Sequence, residues 1–249
     1  MSRNKRKERK ESKMAKVDGL IPTIIKWEAG VTGDGLTNEQ LFEKAKLKGF
    51  ANDPVDAGGA TMIGITIGTY TTYRKAHHRP TPSVNDLKAI TYEEWRDILK
   101  TMYWDKMQAD KIDNQSIANL CVNTVWGSGA SYIKKIQGVL CVSQDGVVGN
   151  ITLGRINGWK PQKDLFDRLW RRRKKFFEDI IAESVRKYEK KIGRRATERE
   201  LLRYTYKRFE KGWMNRLNDF KFVEEPKPEE PKPQEEKPSV ITNNGCHYK

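Results

Sequence analysis

The chain has 249 residues and a formal net charge of +15, long enough for one large or two small domains with a buried core. No apolar run approaches the ~20 residues that span a bilayer, and the basic amino terminus lacks the apolar core of a signal peptide. We therefore expect no transmembrane segment and synthesis in the cytoplasm. The charge attracts polyanions, whether nucleic acid, anionic lipid or cell wall, without choosing among them.

The three cysteines, Cys121, Cys141 and Cys246, form no close Cys/His cluster of the kind that binds a metal. We expect them to be thiols, the first two buried in helices. We expect no metal and no cofactor.

The two ends of the chain look unlike its middle. Residues 1–16 are dense in Lys and Arg without apolar periodicity, which predicts a disordered basic arm. Residues 223–249 contain a Pro/Glu/Lys repeat, which predicts a flexible tail.

The first amphipathic helix is predicted between Leu20 and Gly30. Glu28 lies in its last turn, on the same face as the isoleucines and beside Trp27. The helix dipole and partial burial both favour the neutral form of a carboxyl group there. Glu28 is therefore a candidate proton donor. The alternative is an acid that turns to solvent or pairs with Lys26.

A loop rich in Asn, Asp, Pro and Gly covers residues 50–66 and is where a cleft wall would be made. Its β-branched run from Thr61 to Ile67 predicts strand, although Thr66 could equally cap a helix. The alternative for Asp53 and Asp56 is a turn role, in which their carboxylates bind their own backbone.

Further helices are predicted from capping residues and apolar periodicity. The longest runs from Gln162 to about Lys191 and carries a basic outer face, including the run 171–175. The other predicted starts are Thr37 with Gln40, Thr91 with Glu94, about Ser116, Ser131, about Asn150, and Thr197 with Glu200, whose helix ends before Gly212.

Several short motifs occur in order along the chain. They are Glu28-Ala29-Gly30, Asn52-Asp53-Pro54, Asp56, Gly58-Gly59, Gly64-Ile65-Thr66, Tyr103-Trp104-Asp105, the segment 140–153, and Gly212-Trp213-Met214-Asn215-Arg216. In this order the chain resembles glycoside hydrolase family 108, the N-acetylmuramidases of phage and bacterial origin. The likeness covers residues 20–222, and the ordered set is more specific than any single motif.

The resemblance has departures. Residues 31–49 separate Glu28 from the Asn-Asp-Pro motif, so we interpret them as an insertion. Anchoring the comparison on 48–50 instead would put Leu47 at the acid position and predict an inactive protein. We favour the insertion because no comparable helix leads to Leu47. Asn123 stands where an aspartate is expected.

The resemblance implies a mainly α, lysozyme-like helical fold with a small irregular or β-containing cleft loop. The expected organisation is a basic arm (1–16), a catalytic domain (17–130), a helical peptidoglycan-binding lobe packed on it (131–222) and a tail (223–249).

The implied reaction is hydrolysis of the β-1,4 bond from N-acetylmuramic acid to N-acetylglucosamine in peptidoglycan, with Glu28 as general acid. Asp56 and Thr66 are candidates for the second catalytic group. Candidates for substrate binding are Asp53, Thr61, Trp104, Trp126, Gln137 and Asp145.

The expected partners are peptidoglycan and, through charge, the anionic envelope, with no nucleic acid. A phage lysin released through a holin-type lesion, or a virion component, would fit. The alternatives are a catalytically inactive wall-binding or virion structural protein and, from the run 171–175, a nucleic-acid-binding protein.

Overall fold

The computed structural model describes residues 14–52 and 59–224. Within them, helices surround one small antiparallel sheet, which confirms the predicted mainly α, lysozyme-like fold. The helices are α1 (Ile21–Ala29), α2 (Asn38–Lys46), α3 (Ile67–Ala76), α4 (Val84–Lys88), α5 (Tyr92–Leu99), α6 (Gln115–Ser128), α7 (Ile133–Val139), α8 (Asn150–Gly158), α9 (Gln162–Ile192), α10 (Glu198–Tyr204) and α11 (Glu210–Asp219). The strands are β1 (Phe50–Ala51), β2 (Thr61–Met62) and β3 (Ile65–Thr66).

Helix α1 forms as predicted. Pro22 lies in the first turn, where its missing N–H costs nothing. Gly30 ends the helix in the left-handed conformation (φ 65°), and its N–H donates to the Lys26 carbonyl. The three isoleucines of α1 are fully buried, so the helix is fixed in rotation and Glu28 faces inward with them.

Residues 31–48 leave the end of α1 and return to it. A Cβ placed on Gly49 would lie 3.4 Å from the Cβ of Ala29, so the two ends of the excursion are adjacent. Helix α2 within it buries Leu41, Phe42 and Ala45 in the core. The excursion is therefore an ordered part of the fold inserted between α1 and β1.

The sheet places a tight turn at the cleft. Strands pair in the order β1-β2-β3, all antiparallel, with Met62 opposite Ile65. The two-residue turn between them has positive φ at both Ile63 (44°) and Gly64 (76°), as a type I′ hairpin requires. Positive φ strains a β-branched residue, and the core holds Ile63 there. Trp95 Nε1 donates to the Ile63 carbonyl at 2.9 Å.

Helix starts follow the predicted caps in most places. Thr37 and Thr197 form complete capping boxes. At Thr91 the box is half formed, because the Glu94 side chain accepts a hydrogen bond from Tyr70 instead. Thr66 is both the end of β3 and the cap of α3, so both expectations for it hold.

Two local predictions are wrong. Ser131 does not cap α7; it lies in a 3₁₀ turn, Ala130–Tyr132, and α7 begins without a side-chain cap. Cys141 is exposed and has φ 56°, because the chain turns sharply where α7 ends. Cys121 is buried as expected, and that burial raises the pKa of its thiol to about 12.

Helices α6, α9 and α11 pack against one another in the second half of the fold. Helix α6 is buried on most sides, α9 lies along it, and α11 packs on α9. Helix α9 has nearly the predicted bounds. The helix that Thr197 opens, α10, ends at Tyr204 and so before Gly212 as predicted, but it is not the last helix, because Gly212 lies inside α11. None of the described helices combines the length and apolar composition needed to cross a membrane.

The folded part extends beyond the predicted boundaries at both ends. Ala15 is buried, and its N–H donates to the Ile112 carbonyl at 2.9 Å. The Val223 N–H donates to Ser116 Oγ at 3.0 Å. The rest of the predicted arm and tail, residues 1–13 and 225–249, lies outside the described residues.

Candidate active site

The Glu28 carboxylate is enclosed by side chains from distant parts of the sequence. Its side chain is 19% exposed. Trp126 Nε1 donates to Oε1 at 2.9 Å, and Arg216 Nη1 donates to the same oxygen at 2.6 Å. Lys26 forms a salt bridge with Asp219 instead, at 2.5 Å. Glu28 is therefore neither turned to solvent nor paired with Lys26.

The hairpin turn packs directly on this carboxyl group. A Cβ on Gly64 would lie 2.7 Å from Trp126 Cζ2 and 2.8 Å from Glu28 Cδ, closer than real contacts allow. Positive φ at Gly64 also favours glycine. The glycine of the Gly64-Ile65-Thr66 motif thus lets the backbone approach the acid.

Aromatic rings form a further wall. The rings of Trp126 and Tyr103 lie 4.7 Å apart, and Trp126 also meets Trp95 edge-on at 6.2 Å. Burial raises the pKa of the Tyr103 hydroxyl, and the negative charge of Glu28 raises it further. Tyr103 therefore remains a neutral hydroxyl near the acid at physiological pH.

Arg216 is held by a neutral partner on α6. Its Nε and Nη2 donate to Asn123 Oδ1 at 3.1 and 2.8 Å. An aspartate at position 123 would form a second ion pair with the guanidinium, in competition with Glu28. The neutral amide of Asn123 only orients the guanidinium. Within the described ranges, the salt bridge of Arg216 is with Glu28.

Sequence reasoning missed Arg216 as a site residue. It named Arg216 only as the last residue of the motif 212–216. Local pattern gives no sign that this arginine reaches a carboxylate 188 positions away. Two features of the sequence could have indicated it: the arginine in the motif 212–216, and Asn123 at a position where an aspartate is expected.

The predicted second catalytic groups are not brought to Glu28 by any described contact. Thr66 Oγ1 accepts from the Thr69 N–H and donates to Thr69 Oγ1, each at 3.1 Å. Thr61 Oγ1 donates to the Gly59 carbonyl at 3.3 Å. Asp53 and Asp56 lie outside the described residues. Their catalytic and binding roles stay predictions.

The two predicted sugar-stacking tryptophans differ. Trp104 is fully buried in the core and its Nε1 donates to Asp110 Oδ1 at 2.7 Å. Its predicted contact with substrate stays a prediction that this burial does not support. Trp126 is partly exposed and touches Glu28. Its role in substrate binding stays a prediction, now placed beside the candidate acid.

A hydrogen bond joins Gln137 of α7 to Asp145 in the turn that follows. Gln137 is 1% exposed and its Nε2 donates to Asp145 Oδ1 at 2.7 Å. Its role in ligand binding stays a prediction. The Val147 N–H donates to the same oxygen at 2.8 Å and lowers the pKa of Asp145. Asp145 is exposed, and its binding role stays a prediction.

No group of three or more His, Cys, Asp or Glu side chains that could hold a metal ion occurs in residues 14–52 and 59–224. The chemistry available at Glu28 is that of a carboxyl group with two hydrogen-bond donors on one oxygen.

Comparison with known proteins matches most of the chain to two families. Residues 45–129 match Glycosyl hydrolase 108, and residues 131–218 match Predicted Peptidoglycan domain. A solved structure of Brucella abortus SagA is similar, with a TM-score of 0.52 and 24% identity, over 72% of this chain and 90% of that chain. At this identity the likeness shows the fold alone. Comparison with curated proteins gives no match.

The glycosidase match begins after Glu28, so it does not itself place the acid. Leu47, the alternative acid position, is 85% exposed and follows the end of α2. Gly49 is near the start of the matched region and lies against Ala29 at the end of α1. The matched region is therefore adjacent to the helix that carries Glu28. The two matches show that the chain carries a glycosyl hydrolase 108 segment followed by a predicted peptidoglycan domain, and that it is a glycoside hydrolase that acts on peptidoglycan.

Proposed function

We propose that the protein hydrolyses the β-1,4 bond from N-acetylmuramic acid to N-acetylglucosamine, with Glu28 as general acid. The observation that supports this most is the enclosure of Glu28 between Trp126, Gly64 and Arg216. Enclosed carboxyl groups with a fixed orientation are what glycoside hydrolysis uses to protonate a departing sugar oxygen.

The two oxygens of Glu28 are inequivalent. Oε1 accepts both hydrogen bonds, from Trp126 and Arg216. No described residue donates to Oε2, so this oxygen is available to carry the proton to the glycosidic oxygen. The leaving sugar would then depart as an alcohol, while positive charge develops on the muramic acid ring.

Arg216 has a positioning role in this proposal. Its Nη1 donates to Oε1 at 2.6 Å and so fixes that oxygen in place. The fixed orientation leaves Oε2 for the proton that a general acid transfers. Arg216 is expected to act on the reaction through Glu28 and not by touching the reacting atoms.

The second group is proposed from the loop that joins β1 to β2. This loop carries Asp53 and Asp56, and the next turn of the same sheet packs on Glu28. Asp56 is our candidate for activating water or stabilising the positive charge, with Thr66 as the alternative for orienting that water.

The biological setting that we propose is lysis of a bacterial wall by a phage lysin or a virion component. The glycosidase and peptidoglycan matches support the wall as target, and the net charge of +15 supports attraction to an anionic envelope.

Product analysis tests the bond. Purified Gram-negative peptidoglycan is digested, the new reducing ends are converted to alditols with borohydride, and the fragments are measured by mass spectrometry. Muramitol ends are expected. Glucosaminitol ends would place the cut on the other glycosidic bond, and the absence of new reducing ends would contradict the proposed hydrolysis.

A further inference from the structure

A cavity lies between α6, α9 and α11, next to the candidate active site. Its volume is about 200 Å³. Arg216, which holds Glu28, also lines this cavity, so the cavity and the candidate active site share one side chain. The cavity belongs mainly to the region that matches the predicted peptidoglycan domain, because α9 and all of α11 except Asp219 lie within residues 131–218.

Arg173 of α9 is the buried charge of this cavity. It is 5% exposed, and burial lowers the pKa of its guanidinium to about 10. Its Nη1 donates to Ser128 Oγ at 2.7 Å. Across the described part of the chain, no carboxylate forms a salt bridge with it. A buried charge without a counter-ion is costly, and such a position favours an anion.

The walls around Arg173 are aromatic. Its guanidinium carbon lies 4.2 Å from the ring centre of Phe177 and 5.2 Å from that of Phe176, and Trp213 stacks on Phe177 at 5.1 Å. The rings partly offset the burial of the charge but cannot accept its remaining N–H donors as a carboxylate can. No described Asp or Glu lines the cavity.

We propose that this cavity binds a carboxylate of the muramyl-peptide part of peptidoglycan, with Arg173 as the anion-binding residue. The volume is below that of a site for a whole drug-sized ligand and suits one carboxylate-bearing residue. That carboxylate could belong to the stem peptide or to the lactyl group of a muramic acid without peptide. The inference rests on peptidoglycan as substrate and not on which bond is cut.

Binding of a soluble fragment tests the inference. The probe is the disaccharide N-acetylglucosaminyl-N-acetylmuramic acid carrying a tetrapeptide, which contains no bond of the proposed kind left to cleave. Its affinity is measured by calorimetry for the parent, Arg173→Gln and Arg171→Gln. Arg171 is exposed on the same helix, so its variant is matched in charge change.

We expect Arg173→Gln to weaken binding at least tenfold and Arg171→Gln to leave it unchanged. A fully amidated tetrapeptide should bind the parent at least tenfold more weakly than the acidic one. The disaccharide with a free lactyl carboxylate and no peptide identifies the source: binding that depends on Arg173 assigns the contact to the sugar, and binding that requires the peptide assigns it to the stem.

Equal affinity of the parent and a folded Arg173→Gln protein for both probes, the tetrapeptide and the peptide-free disaccharide, would overturn the inference. If that variant does not fold, equal affinity of the parent for the acidic and the amidated form of each probe overturns it. The reducing-end analysis does not depend on these binding measurements. A wrong assignment of the cleaved bond can therefore be distinguished from a wrong assignment of the carboxylate site.

Discussion

At the scale of single residues, two donors fix one oxygen of Glu28. Trp126 Nε1 and Arg216 Nη1 both donate to Oε1, at 2.9 and 2.6 Å. The side chain lies in the last turn of α1 and is 19% exposed. If Glu28 is the acid, activity should depend on the donors that orient it.

Substituting Arg216 should loosen that orientation. In Arg216→Gln the guanidinium is lost, and of the two donors to Oε1 only Trp126 remains. We expect kcat on soluble glycan strands to fall roughly tenfold while KM stays within about twofold of the parent value. Arg199→Gln, an exposed arginine of α10, is the control. Arg216→Lys keeps a cationic donor and should recover part of the loss, so losses of the same size in both variants would contradict the positioning role.

Gly64 should be intolerant of a side chain. In Gly64→Ala the new methyl group would meet Glu28 and Trp126 at under 3 Å, and positive φ would add strain. We expect kcat to fall at least tenfold and the free energy of unfolding to fall by about 1–3 kcal/mol. Gly154→Ala, in α8 with open space around it, should leave both unchanged or slightly improved. Parent-like turnover in Gly64→Ala would contradict the close packing.

At the scale of elements, the excursion 31–48 lies between α1 and β1 in the sequence, yet the residues on either side of it, Ala29 and Gly49, are adjacent in the fold. Helix α2 within it packs Phe42 against Trp95 and Tyr92, with ring centres 5.6 and 5.7 Å apart. The excursion therefore contributes to the core that fixes α5, and Trp95 of that helix holds the Ile63 turn. The excursion thus supports the site through the core.

Phe42→Ala should destabilise the whole fold. Its ring is fully buried, so removal should cost about 3–5 kcal/mol in the free energy of unfolding, measured with urea. Leu47→Ala, at a residue 85% exposed in the same excursion, should change that free energy by less than about 0.5 kcal/mol. A small cost at Phe42 would mean that the excursion is a peripheral loop.

At the scale of the whole molecule, the net charge of +15 should control attraction to the wall more than the cleavage step. Raising NaCl from about 50 to 500 mM shortens the screening length severalfold. We expect sedimentation of the protein with anionic walls to decrease, while kcat on short soluble glycans stays within twofold. Binding that is independent of salt would show that contacts other than charge hold the protein on the wall.

Local sequence pattern predicted much of the fold, because the start, end and buried face of a helix depend on residues that are close in sequence. The Pro22 to Gly30 helix, the Thr37 and Thr197 caps and the long α9 all depend on positions within a few residues of one another. The Glu28 face was predicted for the same reason.

The contacts of the site could not be read in this way. Arg216 and Trp126 reach Glu28 from 188 and 98 positions away, and only the packing of α6, α9 and α11 brings them there. Burial also decides between residues of one type: Trp104 and Trp126 look alike in sequence, but the core encloses the first and the site exposes the second.

The most direct test of the account is the rate of reducing-end release from purified peptidoglycan by Glu28→Gln and Glu189→Gln, compared with the parent. Glu189 has the same side-chain exposure, 19%, and also pairs with an arginine, but lies on α9. The account predicts a loss of about 10²–10⁴-fold for Glu28→Gln, as removal of a general acid costs, and a parent rate for Glu189→Gln. Parent-like release by Glu28→Gln, or recovery of its activity by adding Leu47→Glu, would place the acid elsewhere and contradict the account.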